Sequence, residues 1–199
     1  MSDILKLATI LGLVTVIAAG ALSAVNSKTK PVIEAYMRAE EARAREQVLP
    51  EAAQGVYVLK DPTSAFPYYV GYAQADSTQP VGYVFRAYGK GYSSTIQMVV
   101  GVDLRGVLMG ISIISQQETP GLGAKIEEIR YGESAPWFQR QFRGKSASNI
   151  ALKKYGGEID AVTGATISSR AVTEGIKAAF AKLSAKVQGL GTANNANLR

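Results

Sequence analysis

From residue 7 to residue 25 the chain carries no charged side chain: LATILGLVTVIAAGALSAV. As a helix rising about 1.5 Å per residue, the run is roughly 28 Å long, close to the hydrocarbon thickness of a bilayer. Lys6 bounds it on one side, Lys28 and Lys30 on the other. Two readings fit. One is a single membrane anchor. The other is a signal peptide cut near the small residues Ala19, Gly20, Ala21 and Ser23. The run exceeds the usual apolar core of a signal peptide, about 7–15 residues, and Asp3 spoils a basic leader, which favours the anchor. Charge does not decide the orientation. Lys6 and the amino terminus precede the run; Lys28, Lys30 and Arg38 follow it. That small excess favours a cytoplasmic C-terminus, but long domains cross regardless of charge.

The remainder is long enough for one sizeable domain with its own core. Among the 199 residues there is no His and no Cys. This excludes a disulfide framework, thiolate or histidine-assisted nucleophilic catalysis, His-ligated haem and Cys-ligated iron–sulfur clusters. No metal site and no catalytic side chain is expected. Carboxylates, hydroxyls, amines, phenols and the backbone remain, together with whatever chemistry a bound cofactor brings. The net charge of +6 is spread along the chain. It lacks the clustered stripe of a nucleic-acid binder.

After the apolar run, residues 31–49 read as a helix with Pro31 in its first turn. Its apolar positions, Ile33, Tyr36, Met37 and Val48, make a weak stripe, which favours a polar stalk over a partner-binding helix. Strand-like runs follow at 56–60, 68–74, 81–88, 96–102 and 106–115. In the fourth, Ile96, Met98, Val100 and Val102 alternate with Thr95, Gln97, Val99 and Gly101. Asp103-Leu104-Arg105-Gly106 reads as the hairpin turn after it. The fifth is apolar at nearly every position, as in a central strand buried on both faces. A short helix is expected at 136–142 with Trp137 in the core, a brief strand at 158–162, and a helix at 168–187. That last helix repeats Val172, Ile176, Phe180, Leu183 and Val187 on one face. The fold class is α+β: an antiparallel sheet with packed helices, preceded by one N-terminal transmembrane helix. The expected division is a membrane anchor at 1–27, a stalk at 28–50, a domain at 51–188 and a flexible tail at 189–199.

Two loops carry the chemistry. Asp160-Ala-Val-Thr-Gly-Ala-Thr166 leads from the expected short strand into the last helix. Thr163, Thr166, Ser168 and Ser169 place hydroxyls at a helix start, where free N–H groups and the positive end of the dipole favour a phosphate. Gly164 and Ala165 leave the approach open, and Arg170 adds a cation within one turn. The plainer reading is helix capping by Ser168 or Ser169. The second loop is Glu118-Thr119-Pro120-Gly121-Leu122-Gly123. Two backbone-exposing loops in one small domain suggest one ligand between them. Tyr92, beside Gly89 and Gly91, has the best chance of the tyrosines to reach it. Tyr68, Tyr69, Tyr72, Tyr83 and Tyr88 are better placed for sheet packing.

Asp160-Ala-Val-Thr163-Gly164-Ala165-Thr166 resembles the flavinylation motif, Asp-x-x-Ser/Thr-Gly-Ala-Ser/Thr, of the FMN-binding domain family. The loop from Glu118 to Gly123 resembles that family's second signature. With the N-terminal run and Gly89-Lys-Gly-Tyr92, the chain is similar to the G subunits of Rnf-type ion-translocating oxidoreductases. The C subunits of the sodium-pumping NADH:quinone oxidoreductase are close relatives. The resemblance is good over residues 80–187. It implies FMN joined by a phosphoester to Thr166, the flavin bordered by Glu118, Thr119, Leu122 and Gly123, and the phosphate surrounded by Thr163, Gly164 and Ala165. Asp160 would serve the flavin transferase or its own loop; Lys125 and Lys153 are weaker candidates for the cofactor than for solvated charges.

The function so implied is electron relay within an Rnf-type complex, by a subunit not active alone. Its partners would be the other membrane subunits and a flavin transferase for maturation. The resemblance places the protein in the cytoplasmic membrane with its domain on the extracytoplasmic side, against the weak charge excess. A free-standing extracytoplasmic FMN-dependent reductase shares the motif, and an anchored binding module with a merely capped helix is the non-redox reading.

Overall fold

The computed structural model describes residues 2–52, 55–74, 77–187 and 190. By internal packing the chain divides into two units, Met1–Glu40 and Glu41–Arg199. The expected flexible tail at 189–199 lies outside the described residues except for Leu190.

Helix α1 spans Ser2–Val48 and carries Pro31 inside it. The sequence reading began a new helix at Pro31. The ring's fixed φ is compatible with a helix, so the chain can forgo one backbone hydrogen bond and continue. In the first unit Leu7, Ile10, Leu11, Leu13, Val14 and Ile17 are all exposed. The helix is long and apolar enough to cross a membrane, and none of its most apolar window is buried within the protein. Hydrocarbon is the surrounding that such a surface requires.

The second unit is built on five antiparallel strands: β1 (Val56–Lys60), β2 (Tyr68–Tyr72), β3 (Pro80–Lys90), β4 (Thr95–Asp103) and β5 (Leu108–Ser115). Their order in space is their order in sequence. The β4–β5 turn forms as the sequence suggests. Gly106, at φ +83°, donates its N–H to the Asp103 carbonyl. Asp103 Oδ1 accepts from the N–H of Arg105 at 2.9 Å and of Val107 at 2.8 Å.

One face of the sheet buries Phe85, Ala87, Ile96, Met98, Val100 and Val102 against α3 (Thr166–Lys186), which contributes Val172, Ile176, Phe180 and Leu183. At about 1.5–3 kcal/mol per fully buried large apolar side chain, this contact is a main source of stability. The short helix α2 (Trp137–Arg140) adds Phe138, with Phe142 just beyond it. Trp137 itself is half-buried, with the Arg130 guanidinium 3.8 Å above its ring. On the other face, Ala44, Val48, Leu49 and Ala52 cover Val84 and Val99. Glu41, 6% exposed, accepts hydrogen bonds from the Arg86 guanidinium. The expected stripe does not act as one face: Val48 is buried, whereas Ile33 and Tyr36 are exposed.

Two further expectations change. The strand buried on both faces is β4, where Met98, Val99, Val100, Gly101 and Val102 are all buried, and β5 lies at the sheet edge. Residues 158–162 form no strand. Ile159 makes only an isolated parallel bridge with Leu152.

Candidate cofactor site

The site lies where the β3–β4 turn, the loop after β5 and the start of α3 meet. Glu118, 5% exposed, joins all three. Its Oε2 accepts from the Tyr92 N–H at 3.0 Å and the Ser168 hydroxyl at 2.6 Å. Its Oε1 accepts from the N–H groups of Ser93 and Ser94 at 3.1 and 2.9 Å, and from the Ser94 hydroxyl at 2.9 Å. Burial raises the carboxyl's pKa. The hydrogen bonds from Ser168, Tyr92, Ser94 and Ser93 outweigh it and bring the value down to about 2. Glu118 is therefore an ionised, buried carboxylate at neutral pH.

Two glycines make the junction possible. A Cβ on Gly123 would stand 2.6 Å from Ser168 Oγ and 2.7 Å from Glu118 Cβ, so no larger residue fits without displacing them. Gly164 adopts φ +76°, which turns the chain into α3.

The start of α3 is not capped as the plainer sequence reading has it. The cap position is Ala165, and among the described residues no side chain caps the helix. Ser168 donates its hydroxyl to Glu118. Ser169 donates its hydroxyl to the Ala165 carbonyl at 2.9 Å and accepts from the Val162 N–H at 3.0 Å. Both serines lie within the helix and are buried. Thr166, half-buried at the first helical position, makes no side-chain hydrogen bond among the described residues. An uncapped helix start leaves its first N–H groups and the positive end of its dipole available to an anion.

A cavity of 410 Å³ opens at this point, lined by Tyr92, Glu118, Thr119, Leu122, Gly123, Gly164, Ala165, Thr166, Ile167 and Ser168. The volume lies within the roughly 300–1,000 Å³ usual for small-molecule sites. Tyr92, Leu122 and Ile167 are 75%, 49% and 46% exposed and give it an apolar rim. A ligand with a phosphate at one end and a flat aromatic ring system at the other matches both halves. FMN has that form, and the residues present fit it.

The structure brings Glu118, Thr119, Leu122, Gly123, Gly164, Ala165 and Thr166 to this one cavity, with Tyr92. Thr163 is exposed and is not among the lining residues. Arg170 points elsewhere, with its guanidinium 5.8 Å from the Tyr155 ring and 3.7 Å from Glu174. Lys125 is not a lining residue, and Lys153 pairs with Asp160 at 2.7 Å. The backbone of Asp160 is held by Gln141, which accepts its N–H at 2.8 Å and donates to its carbonyl at 3.2 Å. Ile167 and the inward turn of Ser168 are additions to the sequence reading. The signal for Ile167 was a large apolar residue directly after the motif's last threonine.

Comparison with known proteins adds the family. The family model described as FMN-binding domain matches residues 91–181, which contain the whole cavity. The model described as RnfG N-terminal region matches residues 1–48. The chain is 34% identical over 168 residues to the G subunit of the ion-translocating oxidoreductase complex of Escherichia coli K12, covering 80% of this chain and 81% of that one. It is 34% identical over 193 residues to the G subunit of the Na(+)-translocating ferredoxin:NAD(+) oxidoreductase complex of Acetobacterium woodii, covering 87% and 88%. Among solved structures, the C subunit of the Na(+)-translocating NADH-quinone reductase of Parabacteroides distasonis is 26% identical, covering 58% of this chain and 59% of that one, at a TM-score of 0.45. The NqrC structure from Shewanella oneidensis is 24% identical, covering 60% and 61%, at a TM-score of 0.44. On the length and identity shared with these bacterial relatives, the chain belongs to the family of G subunits of ion-translocating oxidoreductase complexes.

Proposed function

We propose that this chain carries FMN through a phosphoester on Thr166 and relays electrons as the membrane-anchored flavoprotein subunit of an ion-translocating oxidoreductase complex. One observation carries the reading: Thr166 lines the cavity, its hydroxyl makes no hydrogen bond among the described residues, and it stands at the start of a helix with no side-chain cap there. When bound, FMN supplies the electron-carrying chemistry that a chain without His or Cys lacks.

The protein's own residues bind and orient. Thr166 is the tether. The N–H groups of the first α3 turn favour the phosphate. Gly164 and Ala165 keep bulk away from it, and Leu122, Ile167 and Tyr92 offer apolar surface to the ring. Glu118 fixes the turn at Tyr92–Ser94 to the helix at Ser168.

The finer features belong to the same proposal. A flavin transferase installs the ester, the domain lies on the extracytoplasmic side, and the other subunits of the complex are the electron donors and acceptors. The protein does not turn over alone. In the same proposal the anchor is at 1–27, and the flavin holder takes in the end of α1 from Glu41 as well as 51–188, since Ala44, Val48 and Leu49 cover one face of its sheet. The test is production with a flavin transferase, followed by denaturing electrophoresis under ultraviolet light. A fluorescent wild-type band and a dark Thr166→Ala band are expected. Fluorescence persisting in Thr166→Ala would move the tether to another residue, Thr163 first.

A further inference from the structure

We infer that Glu118 is a positioning residue for the flavin's electronics: its buried charge, held only by neutral donors, lowers the midpoint potential of a flavin in the adjoining cavity. The inference rests on the FMN reading above. Three observations carry it. Glu118 lines the cavity while 5% exposed. Its hydrogen bonds come from backbone N–H groups and serine hydroxyls. Among the described ion pairs none includes Glu118, so its charge is spread over dipoles rather than cancelled by a cation.

A neutral amide could accept from Ser93 and Ser94 by its carbonyl oxygen, but its NH2 would face the Tyr92 N–H. A carboxylate adds a full negative charge at the wall of a partly buried cavity. An electron added to the cavity's occupant brings more negative charge close to it, and the interaction of two such charges is strong in a partly buried site. Reduction becomes harder and the reduced form a stronger donor. The helix start, which Ser168 joins to Glu118 at 2.6 Å, acts in the other sense at the same cavity, through its positive dipole end. The two elements together set the potential.

The test is spectroelectrochemical titration of the full-length, flavin-loaded protein in detergent. In Glu118→Gln the midpoint moves to more positive values, by at least about tenfold in the reduced-to-oxidised ratio at fixed poise. That ratio corresponds to about 59 mV for a one-electron step. Glu118→Asp restores the charge and returns the midpoint towards wild type. Ser168→Ala keeps the charge but removes a donor that compensates it, so its midpoint moves to more negative values. A purely structural role would loosen the junction in Glu118→Gln and Ser168→Ala alike and shift both midpoints in the same direction. An unchanged or more negative midpoint in Glu118→Gln overturns the inference. If that variant does not take up flavin, Ser168→Ala decides, and no shift or a positive shift overturns it. Wild-type protein without flavin fails the FMN reading itself, and a flavin-loaded protein with unmoved midpoints fails only this inference.

Discussion

Glu118 ties segments far apart in sequence with one side chain, and its ionisation is part of that tie. Its folded pKa, about 2, is below the ordinary 4.5. A carboxyl depressed on folding contributes stability above its unfolded pKa and loses it as pH falls through the folded one. The contribution is about 3 kcal/mol at neutral pH. Urea unfolding followed from pH 5 down to pH 2 should therefore show stability falling across that window in wild type and a flatter profile in Glu118→Gln. Equal slopes would mean that Glu118 is not ionised in this bonding pattern. Gly123→Ala should cost about 1–3 kcal/mol by overpacking, and should reduce flavin uptake because Ser168 and Glu118 must move. Thermal melts and the flavin-to-protein absorbance ratio measure both. Thr166, Gly164 and Glu118 were all legible as candidates because each sits in a short motif. The partnership of Glu118 with Ser168 was not, since fifty positions separate them and Ser168 reads locally as a cap.

At the level of elements, α3 is the piece that both builds the core and presents the site. Ile176→Ala, at a fully buried position on its core face, should destabilise the domain by about 2–5 kcal/mol, read by urea unfolding. The spacing of Val172, Ile176, Phe180 and Leu183 was enough to reveal this helix and its buried face. The start of the helix at Thr166 rather than Ser168 was hidden, because two serines resemble caps when their inward partners are unknown. The strand order was hidden for a different reason. β5 looks central because most of its positions are apolar. It is an edge strand whose Leu108, Ile111 and Ile113 join the core that contains Phe138 and Phe142. The Lys145 carbonyl accepts the Leu108 N–H at 2.8 Å and the Leu108 carbonyl accepts the Gly144 N–H at 2.7 Å. That local cover protects part of an edge that would otherwise invite pairing. Period-two patterning reports burial on each face and says nothing about neighbours in the sheet.

For the molecule as a whole, the apolar run was the plainest feature of the sequence, and the matched family is one of complex subunits. Less visible was how the end of α1 serves the sheet. Ala44, Val48 and Leu49 are buried against Val84 and Val99. Their spacing was obscured by the charged residues between them. A protein beginning at residue 41 should be soluble without detergent and unfold cooperatively. One beginning at residue 51 should lose stability by at least the roughly 2–5 kcal/mol of a single large core truncation, because it uncovers one sheet face. Equal melting temperatures for the two would show that this cover is dispensable. The central claim is that the assembled protein carries its own flavin on Thr166. The most direct measurement is intact-protein mass spectrometry of the membrane-purified chain, made with a flavin transferase, followed by mapping of the peptide that holds Thr166. The predicted result is a mass gain of one FMN joined with loss of water, located on Thr166. An unmodified Thr166 peptide from such protein would contradict it.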